Sequence, residues 1–166
     1  AQVVRFEAEN QFPLPIHELE WGYRLTPEPT GRVHAVIAGA RKALVEERLA
    51  QLRAGGGSAA ALLPVPLAAA RAVSRPQEMH IVVLAGADWT DLCLFDDDRL
   101  LGCRSVMAGS PDAEGWSDRI AREVRPWLAG HDDIRQIVLL GLVDDEAATA
   151  LAQSSGLDVP LGNPWQ

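Results

Sequence analysis

The sequence predicts an α/β fold in two units, a small α+β unit followed by a sheet that carries helices. Apolar and polar residues alternate from Leu19 to Leu25, which is the period of a half-buried strand. Three strand-like runs lie close together between Met79 and Val106. Apolar residues then recur at helical spacing over 116–128, and a further apolar run covers 134–140. This alternation of strands and helices is typical of layered α/β domains.

The chain is acidic and long enough to bury a sizeable core. It has 166 residues, of which 48% are hydrophobic, and its formal net charge is −8. A negative charge of this size argues against a nucleic-acid-binding surface. A membrane span is not expected, because no apolar run reaches the required length of about 20 residues.

Helical and strand patterns alternate in the first half, with proline and glycine breaks between them. Pro13 and Pro15 force an extended segment after the first helix. The run over 33–38 is apolar on both faces, which predicts a central strand. In chain order, the predicted elements are a helix over 2–10, a strand over 19–25, the central strand over 33–38, a helix over 41–53 ended by Gly55 to Gly57, a short strand over 59–63 and a helix over 66–73.

A boundary between two structural units is predicted at 75–77, where a proline lies between polar residues. Pro126 should kink or end the helix that starts near Trp116. Asp144 and Asp145 place negative charge where the dipole of a last helix favours it. In chain order, the predicted elements are strands over 79–85, 90–95 and 100–106, a helix over 116–128, a parallel strand over 134–140 and a final helix. This β-β-β-α-β-α order is that of the ribonuclease-H-like core shared by actin and hexokinase folds, and such a topology does not by itself give a function.

Two cysteines and two tryptophans could have roles other than packing in the core. Cys93 and Cys103 flank an acidic tip at 96–98, so a hairpin would place the thiols nearly opposite each other. We interpret them as small apolar sheet residues in a reducing compartment, and the tip as a solvated turn. No metal site is predicted, because neither the cysteines nor the four scattered histidines have ligand spacing. Trp89 and Trp165 are candidates for an interface, since the local pattern does not bury them.

Five groups of residues stand in the order and spacing of a known family. They are Glu7 to Pro15 with Glu18 to Trp21, Ala40 to Lys42 with Val45 to Leu49, the turn at Gly86, Asp98 to Leu100 with Arg104, and Asn163 to Trp165. Together they resemble the PilM family of type IV pilus assembly proteins, which is actin-like and related to FtsA and to the cytoplasmic domain of the type II secretion protein GspL. The resemblance implies an actin-like ATPase fold with an incomplete first lobe, of which this chain is an internal or C-terminal fragment.

The resemblance divides the chain into three parts. Residues 1–57 would form the small α+β insert of the first lobe, and 58–75 a strand and helix that return to that lobe. Residues 76–166 would form a ribonuclease-H-like second lobe. The turns that would hold phosphate and adenosine in such a lobe match Gly86, Thr90, Gly109 and Gly141.

Three departures from the family pattern make this nucleotide site degenerate. Leu84 stands where an actin-like ATPase has the acid that helps to hold the metal, and Leu142 stands where a second glycine is usual. Ser110 and Pro111 follow Gly109 where a second small residue would be expected, and Asp88 or Asp91 could replace the missing acid only from a shifted position. The resemblance therefore implies no catalytic residue, no hydrolysis and no cofactor, with ATP and Mg as the alternative.

A non-catalytic cytoplasmic scaffold is the function that the resemblance implies. It would lie at the inner membrane, in a type IV pilus or related secretion assembly, and bind the cytoplasmic N-terminal peptide of a membrane partner. The candidate contact residues are Phe12, Leu14, Trp21, Arg41 and Lys42. The acidic chain would suit a basic peptide. An assembly ATPase and a second copy of the chain are further expected partners, and nucleic acid is not. The alternatives are a nucleotide-dependent switch or filament, and an ordinary α/β domain.

Overall fold

The computed structural model of the chain describes residues 2–28, 31–65, 67–68, 78–97 and 99–162. The chain forms two compact units, Ala1–Pro64 and Val65–Gln166. Helices and a mixed sheet confirm the α/β class. Several predicted features lie outside the described residues, namely most of the helix over 66–73, the boundary at 75–77, Asp98, and Asn163 to Trp165.

The first unit is an antiparallel hairpin with a helix before it and a helix after it. Leu19 pairs with Arg41 at one end of the hairpin, and Pro27 pairs with Val33 at the other. The elements are α1 (Gln2–Gln11), a 3-10 turn (Ile16–Glu18), β1 (Leu19–Pro27), β2 (Val33–Arg41) and α2 (Lys42–Ala54). The predicted helices, the strand over 19–25 and the glycine stop after α2 are confirmed.

Two expectations for the first unit were wrong. β2 is not a central strand, because β1 is the only strand that pairs with it among the described residues. Residues 59–63 form no strand, because no described segment pairs with them. Both predictions were based on runs of apolar residues. Such a run does not show which other strands, if any, pair with the segment.

The second unit is a four-stranded mixed sheet with two helices. Its strands lie in the order β5-β4-β3-β6, and β3 pairs with β6 in parallel while the other pairs are antiparallel. The elements are β3 (His80–Ala85), β4 (Thr90–Asp96), β5 (Arg99–Val106), α3 (Trp116–Gly130), β6 (Gln136–Gly141) and α4 (Asp145–Ser155). The predicted β-β-β-α-β-α order and the parallel pairing of the last strand are confirmed.

The core of the second unit has two sides, one on each face of the sheet. On one face, Ile81, Val83 and Leu139 join a buried cluster that also contains Ile120 of α3 and Leu151 of α4. On the other face, the smaller cluster consists of Val82, Cys93, Phe95, Val138 and Leu140. Both faces of β3 and β6 are therefore buried, as the continuous apolar runs in these strands require.

Pro126 does not end or visibly interrupt its helix, since α3 continues to Gly130. A proline removes one amide donor and leaves the carbonyl four residues earlier without its helical bond. Pro126 and Arg122 are both exposed, so this carbonyl lies on the water-facing side. The buried stripe of Trp116, Ile120 and Val124 holds the helix on the opposite side. The expectation that the helix ends at Pro126 was therefore wrong.

Candidate functional site

The four residues predicted to hold a nucleotide lie at one edge of the second sheet. Ala85, the last residue of β3, pairs with Thr90 on one side and with Gly141 on the other. Gly86 follows Ala85 directly, and the amide of Gly109 donates to the carbonyl of Asp88 at 3.2 Å. We call this end of the sheet the carboxyl edge. The structure thus brings together Gly86, Thr90, Gly109 and Gly141.

A tight turn joins β3 to β4 at this edge. The amide of Gly86 donates to the carbonyl of Trp89 at 2.9 Å. A Cβ atom at Gly86 would lie 2.9 Å from that same carbonyl oxygen, so the turn itself requires glycine. Asp88 and Trp89 are exposed, whereas Asp91 accepts a hydrogen bond from the hydroxyl of Ser105 on β5. The carboxylate of Asp91 thus has a partner within the sheet.

Gly141 is required because the backbones of β3 and β6 approach closely at this position. Its φ is +101°, and a Cβ atom there would lie 2.1 Å from the carbonyl oxygen of Ala85. The next amide, that of Leu142, donates to the same oxygen at 3.0 Å. The glycine therefore has a structural reason that is independent of any ligand, while the side chain of Leu142 is exposed.

The hydroxyl of Thr90 lies inside the protein, where it accepts a hydrogen bond from an indole. Thr90 is 0% exposed, and Nε1 of Trp116 donates to its Oγ1 at 3.2 Å. Trp116 is also buried, at the start of α3. Sequence reasoning placed Trp116 in the core and Thr90 at the start of a strand, but it missed this contact. The two residues are 26 positions apart, and only the tertiary fold brings them together.

Acidic residues dominate the loops of the carboxyl edge. The loops 86–89, 107–115 and 141–146 contain six acidic residues and no lysine or arginine. The carboxylate of Asp144 caps α4 by accepting from the amide of Ala147 at 2.9 Å, so this helix start already has an anionic partner. Trp89, Met107 and Leu142 are exposed in or beside these loops. The chemistry of the edge is thus apolar and acidic, which is unfavourable for a phosphate chain.

Most of the predicted peptide-binding residues lie together in the first unit. Trp21 of β1 pairs with Gly39 of β2, and the ring of Phe12 lies so close that a Cβ on Gly39 would be 2.9 Å from it. Arg41 ends β2 and Lys42 begins α2. The structure therefore groups Phe12 and Trp21 near the end of the hairpin at which α2 starts. Leu14 is half-buried in the segment between α1 and β1.

One face of the hairpin is apolar from Trp21 and Gly39 to Pro27 and Val33, and much of it is exposed. Alternate residues of β1 share a face, and so do their partners in β2. Trp21 stacks on Tyr23 with ring centroids 6.0 Å apart, while Tyr23 is 45%, Leu25 44% and Val33 58% exposed. We call this surface the hairpin face, and its residues are Trp21, Tyr23, Leu25, Val33, Ala35 and Ile37.

The sequence predicted the alternation that builds the hairpin face. It also predicted a half-buried strand, in which this apolar face would be covered. The exposure of Tyr23, Leu25 and Val33 follows from the small sheet, in which the described residues supply only two strands. The described residues contain no helix able to span a membrane. They also contain no group of three or more His, Cys, Asp or Glu side chains that could hold a metal ion.

Comparison with known proteins gives a solved structure that matches almost the whole chain. It is a chain of a "PilM-PilN type IV pilus biogenesis complex", 25% identical, with a TM-score of 0.73 over 99% of this chain. The resemblance to the PilM family is confirmed. This chain spans 62% of the length of that PilM-PilN complex chain.

Two further solved structures match with lower scores. One is a protein with an actin-like ATPase fold and unknown function from Bacteroides thetaiotaomicron, 11% identical, with a TM-score of 0.46 over 95% of this chain and 59% of its own. The other is the ethanolamine utilization protein EutJ from Carboxydothermus hydrogenoformans, 12% identical, with a TM-score of 0.44 over 90% of this chain and 86% of its own. No protein-family model and no curated protein matches the sequence.

Proposed function

We propose that this chain belongs to a non-catalytic scaffold of a type IV pilus or related secretion assembly, and that it binds a peptide of a membrane partner. The observation that carries the proposal is the similarity to a chain of a PilM-PilN complex over 99% of this chain. The scaffold works at the cytoplasmic side of the inner membrane. An assembly ATPase and a second copy of the chain are additional partners under this proposal.

The hairpin face is the surface that suits an extended peptide best. Its exposed apolar side chains offer anchors at alternate positions, which match the two-residue period of an extended chain. Large aromatic residues such as Trp21 and Tyr23 supply much of the binding energy in interfaces of this kind. The net charge of −8 attracts a partner segment that is basic, as segments next to the inner face of a membrane often are.

A positive charge introduced on the hairpin face tests this proposal. Leu25→Arg puts a buried positive charge into the contact with a basic peptide, so we expect affinity to fall about tenfold or more. Thr26→Arg is the matched control, because it adds the same side chain to the opposite face of the same strand. The measurement is fluorescence polarisation with labelled peptides that copy the cytoplasmic N-terminal segments of the organism's inner-membrane pilus proteins.

The proposal fails if no such peptide binds the wild-type chain below about millimolar concentration, which corresponds to about −4 kcal/mol. Equal losses of peptide affinity in Leu25→Arg and Thr26→Arg would instead mean that the peptide does not bind specifically to the hairpin face. Circular dichroism of both variants checks that each retains the fold of the wild type.

The competing function is an ATP-dependent switch or filament. It has one observation in its favour, the gathering of Gly86, Thr90, Gly109 and Gly141 at the carboxyl edge. Against it stand the buried hydroxyl of Thr90, the acidic loops and the leucine at position 84. We therefore propose that the carboxyl edge keeps the backbone geometry of a nucleotide site without its binding chemistry.

A further inference from the structure

Two thiols face each other across the β4–β5 hairpin. Cys93 and Cys103 are register partners in these antiparallel strands, and their sulfur atoms lie 3.4 Å apart. Directly opposed residues of an antiparallel pair have Cα atoms about 4.5 to 5.5 Å apart, which falls within the range that a disulfide spans. The sulfurs need to approach by roughly 1.4 Å to reach bonding distance. Rotation of the two side chains can supply this movement without displacing the strands.

The two cysteines differ in their access to solvent and in the pKa of the thiol. Cys93 is 1% exposed, whereas Cys103 is exposed on the end strand of the described sheet. The thiol of Cys93 donates a hydrogen bond to the sulfur of Cys103, and this bond lowers the pKa of Cys103. The same bond, together with burial, raises the pKa of Cys93. Cys103 is therefore the thiol that ionises first and that a dissolved reagent can reach.

We propose that Cys93 and Cys103 form a reversible disulfide site, at which Cys103 reacts with a small-molecule disulfide and Cys93 resolves the product. This inference is independent of the proposed scaffold function. The proposed thiol–disulfide exchange is a role for the two cysteines beyond their packing in the sheet, and it does not involve the carboxyl edge. Among the described residues, no group of three or more His, Cys, Asp or Glu side chains that could hold a metal ion includes the pair.

The reaction has two balanced steps with glutathione disulfide as the oxidant. The thiolate of Cys103 attacks one sulfur of glutathione disulfide, the disulfide bond breaks, and one glutathione leaves as a thiolate. The sulfur of Cys93 then attacks the sulfur of Cys103, and the second glutathione leaves as a thiolate that takes up the proton of Cys93. Two protein thiols are oxidised, and one glutathione disulfide is reduced to two glutathione molecules.

Oxidation at this site would fasten the end strand to its neighbour. β5 is also held by the ion pair between Arg104 and Glu123 of α3, at 2.8 Å, and Gly102 lies against the ring of Trp127. A covalent bond at Cys103 falls between these two contacts in the sequence. The oxidised form should therefore show slower hydrogen exchange of the β5 amides than the reduced form.

The test is a titration of the reduced chain with mixtures of glutathione disulfide and glutathione. Samples are quenched in acid, unfolded, treated with iodoacetamide and weighed as intact protein by mass spectrometry. We expect the fully reduced chain to gain two alkyl groups, and the oxidised chain to gain none and to lose two hydrogens. Reduced glutathione should restore both thiols. The same titration in urea should need about tenfold more oxidising conditions, because unfolding removes the alignment of the thiols.

Single variants separate the roles of the two cysteines. In Cys93→Ser, glutathione should remain attached to Cys103, since no second thiol displaces it. In Cys103→Ser, reaction should be about tenfold slower or more, because Cys93 is buried. The proposal is wrong if the wild-type chain keeps two free thiols in excess glutathione disulfide, if it accumulates a glutathione adduct or a linked dimer, or if folded and unfolded chains oxidise alike. These wild-type readings hold even if a variant does not fold.

Discussion

Gly141 is the residue at which the backbone leaves the least room for a side chain. Its φ of +101° is unfavourable for other residues, and a Cβ atom would overlap the carbonyl oxygen of Ala85 at 2.1 Å. Gly141→Ala should therefore lower the free energy of unfolding by about 2 to 4 kcal/mol, since one strand must move. Urea denaturation followed by circular dichroism measures this loss.

Gly130→Ala is the control for that substitution. Gly130 ends α3, and a Cβ atom there would meet no atom within 4 Å. We expect its stability to be unchanged or to rise by up to about 1 kcal/mol. A Gly141→Ala protein with the wild-type urea midpoint would contradict the close approach of the β3 and β6 backbones at Ala85 and Gly141.

The candidate site was predictable from the sequence to the extent that it depends on backbone turns. The resemblance to the PilM family indicated Gly86 and Gly141, and the structure places both at the carboxyl edge. The state of the Thr90 hydroxyl was not predictable, because its partner is an indole on a different element. The exposure of Tyr23 and Leu25 was not predictable either, since alternation marks the apolar face of a strand but not what covers it.

At the level of the elements, α3 shows how packing overrides a local breaker. Pro126 lies inside the helix on the face that is exposed to water. The buried side chains of Trp116, Ile120 and Val124 pack on the opposite face. Pro126→Ala restores an amide that can donate to the carbonyl of Arg122. The variant should be more stable by about 1 to 2 kcal/mol, because an interior proline costs about 3 kcal/mol and its rigidity in the unfolded chain offsets part of this.

Arg125→Ala provides the comparison for Pro126→Ala in thermal or urea unfolding. Arg125 is exposed on the same turn, so its replacement should change stability by no more than about 0.5 kcal/mol. A loss of stability in Pro126→Ala would mean that the proline sets a helix geometry on which the contacts of α3 depend.

The accuracy of element prediction followed the strength of each local signal. β3 to β6 and the start of α4 were predicted within two residues, because continuous apolar runs and the acids at 144–146 mark them clearly. The strand over 59–63 was wrong, since an apolar run becomes a strand only where another strand offers its hydrogen-bonding groups. The central position given to β2 was wrong for the same reason.

For the whole molecule, two observations bear on the proposed scaffold. The similarity to a PilM-PilN complex chain bears on its place in an assembly, and the chemistry of the carboxyl edge bears on its lack of a nucleotide site. The similarity supports a role in an assembly, and it extends over 62% of that complex chain. The carboxyl edge argues against a switch in which nucleotide binding controls the assembly. The six acidic residues of its loops would repel a triphosphate, and no lysine or arginine in those loops would compensate.

We therefore expect the full-length protein to give no binding heat with Mg-ATP at about 0.3 mM nucleotide, a concentration that reveals complexes of about −5 kcal/mol or tighter. Isothermal titration calorimetry makes the measurement, with a known ATPase as the positive control. Micromolar binding would favour the switch, and Leu142→Asp then tests whether the site is the carboxyl edge. This variant adds a negative charge at an exposed side chain of that edge. If nucleotide binds there, Leu142→Asp should weaken or abolish the heat, because the added carboxylate repels the phosphates; if binding persists unchanged, the nucleotide lies elsewhere and the edge remains a structural remnant.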